Sequence, residues 1–268
     1  MLIYKDFYRL RERPFSKTPD PRFLYLSKGH REALARMQYV IEEREIALLT
    51  GEIGCGKTTI SRALMDSMGD SCRFCFIVNP RLNTLEFLRT IARALLSTPP
   101  VEDKEGLLNQ IADALFMFHN EGICPVVIID EAQLIPDNEI FDEIRLLTNY
   151  QLDDRNLLSV ILMGQPELRN MLSSPVFEPL KQRITMHYHL SPLGMDDILD
   201  YLDYRLEVAG GLGGLFSPDA VQRIYELSGG VPRRINLIAT NAILEGYGRD
   251  SAMIDATIID AIASELLL

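Results

Sequence analysis

Glu45-Ile46-Ala47-Leu48-Leu49-Thr50-Gly51-Glu52-Ile53-Gly54-Cys55-Gly56-Lys57-Thr58-Thr59 is the stretch that decides the fold. Glu45 to Thr50 is an apolar run of strand length. It enters a turn with glycines at 51, 54 and 56, and a helical pattern follows from about Lys57 to Met68. Gly51 to Thr58 fits G-x-x-x-x-G-K-[ST] in the strand-then-helix setting that this pattern requires. The glycines let the backbone curl so that successive N–H groups point inward at phosphate oxygens. The following helix offers the positive end of its dipole to the same anion. Lys57 would reach the terminal phosphates and Thr58 would ligate Mg²⁺. Gly51, Gly54, Cys55, Gly56 and Thr59 complete the expected nucleotide-contacting set.

About seventy residues further on, Val126-Val127-Ile128-Ile129-Asp130-Glu131 is an apolar strand ending in two carboxylates. Beside a phosphate loop, Asp130 is expected to hold the Mg²⁺ and Glu131 to act as general base on the attacking water. The chain between and after these landmarks alternates. Strands are expected at 45–50, 73–78, 125–129, 157–163 and 185–190, and helices at 29–44, 57–68, 84–97, 104–120, 137–150 and 167–172. Such alternation predicts a parallel sheet with helices on both sides, an α/β three-layer domain. After Pro192 only helical periodicity remains, over 195–209, 217–228, 232–246 and 255–267, with glycine pairs between. The expected division is therefore an N-terminal arm with the α/β domain over 1–190 and a small all-helical domain over 191–268. Residues 1–28 are expected to be irregular, an arm pinned by Phe7, Tyr8, Phe15, Phe23 and Tyr25.

Composition narrows the class. The 268 residues are 47% hydrophobic and 24% charged, which suits a globular chain long enough to bury real cores. A net charge of −11 argues against a generally basic nucleic-acid binder. Residues 1–36 are the exception, with nine Lys/Arg against four Asp/Glu. That arm either lays its arginines over a local surface or contacts phosphate or a neighbouring subunit. No apolar run approaches the ~18 residues of a membrane helix, and the N-terminus has no apolar signal region. Four cysteines are too few for a disulfide scaffold, so a soluble cytoplasmic protein without membrane insertion is expected.

The phosphate loop, the Asp130-Glu131 strand and the α/β-then-helical order resemble an AAA+ P-loop ATPase followed by its helical lid. The resemblance sharpens to the ExeA, or general secretion pathway protein A, family. It is carried by Phe15, Thr18-Pro19-Asp20-Pro21, Phe23-Leu24-Tyr25-Leu26-Ser27 and His30. Asp130-Glu131-Ala132-Gln133, Ile144-Arg145-Leu146-Leu147-Thr148-Asn149, Gly164-Gln165-Pro166-Glu167-Leu168-Arg169 and Gly230-Val231-Pro232-Arg233-Arg234-Ile235-Asn236 add to it. The family implies an ATPase using ATP and Mg²⁺. Gln165 would be the sensor glutamine of the strand beside the Asp130-Glu131 strand; its plain alternative is a turn residue before Pro166. Arg233, rather than Arg234, would be the lid arginine. Arg183 would be the finger supplied to the next subunit, unless it is an ordinary surface arginine. Asn79 would restrain Glu131. The family further implies a homo-oligomeric ring or filament that remodels or assembles an unidentified protein partner. Its longer members carry a membrane span and a peptidoglycan-binding domain after the ATPase, and this sequence ends after the lid. The alternative is a DNA-associated regulator of the same superfamily, in which the arm and Arg169, Lys181 and Arg183 would meet DNA.

Three further features tempt. Cys72 and Cys75 form C-x-x-C, but residues three apart on a strand face opposite ways. Cys55 would be an oxidisable thiol if it were exposed at the helix N-terminus; otherwise it is a small residue that fits the loop. His187 and His189 share one strand face with no third ligand in view.

Overall fold

The computed structural model describes all residues except 1–2, 17–19, 97, 153–154 and 267–268. Thr18 and Pro19 of the arm motif, and the last residue of the fourth expected lid helix, lie outside the described residues. In chain order the elements are α1 (Ile3–Phe7), α2 (Lys28–Glu42), β1 (Ile46–Gly51), α3 (Lys57–Met68), β2 (Cys72–Ile77), α4 (Thr84–Leu95), α5 (Lys104–Asn120), β3 (Cys124–Ile129) and α6 (Asn138–Leu147). They continue with β4 (Ser159–Gly164), α7 (Pro166–Leu172), α8 (Glu178–Lys181), β5 (Ile184–Leu190), α9 (Met195–Val208), α10 (Pro218–Ser228), α11 (Pro232–Gly248) and α12 (Ala256–Glu265). Two compact units emerge. One holds Arg31–Gly51 and Ile60–Leu190; the other holds Met1–His30, Glu52–Thr59 and Ser191–Leu268.

The first unit is built on a five-stranded parallel sheet in the order β2-β3-β4-β1-β5. β1 and β4 are buried at every position, and β3 at every position after Cys124. That is why these strands read as continuous apolar runs rather than as alternation: both faces are covered. On one face Cys75, Ile77, Val127, Ile129, Val160, Leu162, Ile46 and Leu48 pack with Phe87, Leu88 and Ile91 of α4 and Leu107 and Ile111 of α5. On the other face lies α2. There Cys124 Sγ donates to Ile41 O at 3.3 Å and Ser159 Oγ to Val40 O at 3.4 Å. The helices start where their caps dictate. Asn83 and Glu86 form a reciprocal capping box on α4, and Asp103 and Asp137 cap α5 and α6.

The second unit gathers the four lid helices and the arm around one core. Leu202, Ile224, Ile235, Ile238 and Ile259 form its centre, and Tyr4, Phe15 and Phe23 of the arm are buried in it. Residues 1–190 were expected as one domain, but the arm's aromatics pack with the helices after 190. The arm is also less irregular than its prolines suggest. It contains α1 and a 3₁₀ turn at Pro21–Phe23, whose start is capped by Asp20 accepting from Arg22 N at 3.0 Å. Two boundaries shorten: α4 stops at Leu95 and α6 at Leu147, where Thr148 Oγ1 donates back to Arg145 O.

A buried arginine fixes the arm. Arg205 of α9 donates through Nε to Pro14 O at 2.7 Å and through Nη1 to Phe23 O at 3.3 Å. Its guanidinium lies 5.1 Å from the Phe23 ring centroid and 5.9 Å from that of Phe15. Charged donors to buried carbonyls and cation–π contacts together are worth ~3 kcal/mol. Arg205→Leu is therefore expected to lower unfolding free energy by about that amount in urea titrations. An unmoved midpoint would remove the arginine from its assigned role.

Candidate active site

The phosphate loop belongs to the second unit and begins where β1 ends. Gly54 has φ +88° and Gly56 has φ +104°, a region that side chains rarely adopt. A Cβ at Gly54 would also lie 2.6 Å from Arg233 Cβ, so the loop needs glycine there for space as well as for conformation. Arg233 N donates to Gly54 O at 3.3 Å, which ties the first turn of α11 to the loop backbone. The corresponding N–H of Arg234 stays within its own turn, on Val231 O. Lys57 is buried, and among its contacts Nζ donates to Glu52 O at 3.2 Å. Thr58 and Thr59 are half-buried, with Thr59 N on Gly56 O at 3.0 Å. Cys55 is fully buried, and burial pushes its thiol pKa up. It is therefore a small residue that fits the loop, not an exposed thiolate.

His30 holds this loop from behind. Its Nε2 meets Cys55 O at 3.0 Å, and only a donor can satisfy a carbonyl, so the proton sits there. Nδ1 pairs with Ser27 Oγ at 2.7 Å. Burial lowers its pKa, opposed by the bond to Cys55 and by the Asp197 carboxylate. The unfolded chain then takes up the proton at a higher pH than the folded chain. Stability contributed by the neutral ring is present above the ordinary value of ~6.5 and is lost as pH falls through the interval below it. His30→Gln is expected to flatten that limb of the stability–pH profile measured by urea midpoints. An identical slope in both proteins would contradict the assignment.

In the first unit the parallel strands bring their C-terminal ends to one edge. Ile77 pairs with Ile129, Ile129 with Leu162, and Thr50 with Gly164. Asp130 therefore leaves the sheet level with Met163, two positions before Gln165. Asp130 is buried, its N–H donates to Ile77 O at 2.9 Å, and its Oδ1 accepts from Glu131 N at 2.9 Å. Glu131 sits at φ +52°, ψ +39°. Its Oε2 accepts from Gln165 Nε2 at 3.0 Å and from Gln133 Nε2 at 2.5 Å. Gln165 N donates to Gln133 Oε1 at 3.2 Å, which closes a ring of three hydrogen bonds around one carboxylate oxygen. Gly164 keeps this ring open, because a Cβ there would run into Gln133 Oε1 and Leu168.

Gln133 is the residue that sequence reading missed. It sits in the 3₁₀ turn Ala132–Leu134, which folds its side chain back onto Glu131. The only signal was its place in the Asp130-Glu131-Ala132-Gln133 string. Asn79, expected to restrain Glu131, makes no hydrogen bond to it among the described residues. Asn79 is exposed and its Oδ1 accepts from Arg81 N at 3.3 Å, so the side chain is turned into its own loop.

Arg183 is half-buried and donates from Nη1 to Thr148 Oγ1 at 3.1 Å. It directly precedes β5, whose Ile184 pairs with Ile46, whereas Leu190 pairs with Gly51. Arg183 thus stands at the N-terminal edge of the sheet, roughly 20 Å along the strands from the edge carrying Asp130 and Gln165. Of the other basic candidates, Lys181 pairs with Glu178 at 3.4 Å. Arg169 and Lys181 both lie near His187, whose pKa is lowered by burial first and then by these two charges. In the arm Arg22 pairs with Glu12 at 3.1 Å and Asp20 at 2.7 Å, and Lys5 Nζ donates to Arg11 O at 3.0 Å. Of the arm's cations, Arg22 is thus neutralised locally by two carboxylates. Thr50 Oγ1 meets His189 Nδ1 at 3.1 Å, which places that histidine as a hydrogen-bonding residue of the sheet edge.

A profile of the AAA domain matches residues 40–172, from within α2 to the end of α7. The chain is similar in fold to Cdc6p of Pyrobaculum aerophilum, at 19% identity and TM-score 0.66 over 90% of this chain and 67% of that one. The Drosophila ORC bound to DNA gives TM-score 0.73 at 13% identity, over 98% of this chain and 66% of that one. These likenesses show the fold alone; the profile match and the relative that follows place the chain in the AAA+ family of P-loop ATPases. Within it, the chain is 41% identical over 254 residues to the general secretion pathway protein A of Aeromonas hydrophila, covering 93% of this chain. It is a member of that family and spans 46% of that relative's length. No helix among the described residues is long and apolar enough to cross a membrane.

Proposed function

We propose that the chain hydrolyses ATP to ADP and phosphate as a subunit of a homo-oligomer, in the cytoplasm, and that this cycle remodels or assembles a protein partner of the secretion machinery. The observation that carries the reading is the carboxylate of Glu131 at the C-terminal edge of the parallel sheet, held by the amides of Gln165 and Gln133. In open α/β sheets that edge is where ligands bind. The residues present suit a nucleotide and its cation. Gly54 and Gly56 hold the loop backbone in positive-φ conformations that a larger residue would strain, and Asp130 is a buried carboxylate at a strand end. Thr58 and Asp130 would hold Mg²⁺, which neutralises charge on the transferring phosphate when bound. Lys57 and the loop N–H groups, with Gly51 to Thr59 around them, would bind the phosphates.

Glu131 accepts the proton of the attacking water as its oxygen bonds to the γ-phosphorus and the bond to the bridging oxygen breaks. Gln165 and Gln133 orient the carboxylate by fixing Oε2, which leaves Oε1 for the proton. Arg233, tied to the loop through Gly54, would report nucleotide state to the lid.

Arg183 lies at the far edge of its own sheet, so it serves a neighbouring subunit or none. The reading predicts that Arg183→Ala keeps ATP binding and loses ~10³-fold in hydrolysis. Mixed with Glu131→Gln, it should recover part of the activity, because each variant supplies what the other lacks. Co-assembled mixtures with no recovery would overturn the shared site.

A DNA-bound role is the second reading, favoured by the likeness in fold to the Drosophila ORC described as bound to DNA. It predicts retention on DNA that weakens steeply with salt. Retention that is absent at low salt excludes it.

A further inference from the structure

The cysteine pair that matters is not the C-x-x-C of the sequence. Cys75 turns to one face of β2, where its Sγ lies 4.0 Å from Thr90 O of α4, and it is buried. Cys72 points to the other face, at the entry end of an edge strand, and is half-exposed. Its partner in register is Cys124, the first residue of β3, also half-exposed. In-register residues of adjacent parallel strands project to the same side. The strands lie ~4.8 Å apart, inside the Cα separation of about 4.4–6.8 Å that a disulfide spans.

We propose that Cys72 and Cys124 form a dithiol site, which a small-molecule disulfide of the glutathione type oxidises reversibly to an intrachain disulfide. The Cys72 thiolate attacks one sulfur of the oxidant, expelling one thiolate and forming a mixed disulfide. Cys124 gives its proton to solvent and attacks Cys72 Sγ, expelling the second thiolate. Two protein thiols lose two electrons in all, and one external disulfide is reduced to two thiols. The surroundings set the order of attack. The neighbouring Cys124 thiol, with Ser71 and the Arg44 charge adding to its effect, brings the Cys72 pKa down to about 7 against the pull of burial. The Cys124 pKa moves up. The remaining cysteines are shielded. Cys55 and Cys75 are at most 1% exposed and burial raises both. The bond would join the entry ends of β2 and β3, the opposite edge from Asp130 and Glu131. The proposal therefore does not depend on the nucleotide reading.

The test is peptide mapping by mass spectrometry of the reduced, full-length chain after timed exposure to glutathione disulfide at neutral pH. The expected product is a peptide pair cross-linked through Cys72 and Cys124, which disappears on reduction. Cys72 should react at least about tenfold faster than Cys75 or Cys55. Cys124→Ser should stop at the mixed disulfide on Cys72, and Cys72→Ser should yield no cross-link. Circular dichroism melts would confirm that both variants fold, and the wild-type map decides alone if one does not. A wild-type map with no 72–124 cross-link, or with modification spread over all four cysteines, overturns the proposal.

Discussion

Replacing Glu131 with glutamine is expected to lower ATP hydrolysis by about 10²–10⁴-fold while leaving ATP binding in place. The substitution is nearly isosteric. The new amide oxygen can still accept from Gln165 and Gln133, which now sit at 3.0 Å and 2.5 Å from Oε2. What is lost is the basic oxygen that takes a proton from water. Single-turnover phosphate release and equilibrium binding of a fluorescent ATP analogue would separate the two effects. A loss of less than about tenfold in hydrolysis would place the general base elsewhere, since that is below what such a group contributes. A parallel loss of binding would mean that Glu131 shapes the site instead of acting on water.

Lys57→Ala is expected to fail one step earlier. Charge-assisted hydrogen bonds are worth about 1.5–3 kcal/mol, so the dissociation constant for ATP should rise about 10–100-fold, with hydrolysis falling below detection. Lys57 is buried in the loop, and its Nζ is satisfied in part by Glu52 O. Truncation removes one of the two donors to that carbonyl, leaving Cys55 N at 3.2 Å, so the melting temperature must be followed alongside titration calorimetry. A variant that melts like the parent and binds ATP with the parent's affinity would contradict the assignment of the loop.

The parts of this account that were legible in the sequence are those whose chemistry is local. The loop could be read because Gly54 and Gly56 occupy positive φ, and glycine is the residue that reaches that conformation freely. The inner strands could be read because burial on both faces demands unbroken apolar runs. The arm was read less well, since prolines signal irregular chain but do not say which core the aromatics between them enter. Gln133 was missed, and the orientation of Asn79 was not foreseen, for a related reason. Whether an amide reaches Glu131 depends on a 3₁₀ turn after β3 and on an Asn side chain turning to its own loop, and neither leaves a periodic trace. Arg205 looks like any charge on a helix until Pro14 and Phe23 are placed around it. The Cys72–Cys124 pair is invisible without the β2–β3 register, because 52 positions separate them in sequence.

The measurement that bears most directly on the central claim follows ATP turnover and particle mass together across protein concentration. Phosphate release with and without Mg²⁺ would be read beside light scattering in the presence of no nucleotide, ADP or a non-hydrolysable ATP analogue. The account predicts Mg²⁺-dependent turnover that rises per subunit with concentration, as the ATP analogue drives assembly beyond the monomer. A chain that stays monomeric with the analogue and turns over ATP at a concentration-independent rate per subunit would contradict the subunit-shared site built on Arg183. A chain with no Mg²⁺-dependent phosphate release at any concentration would contradict the assignment of Glu131 and Lys57.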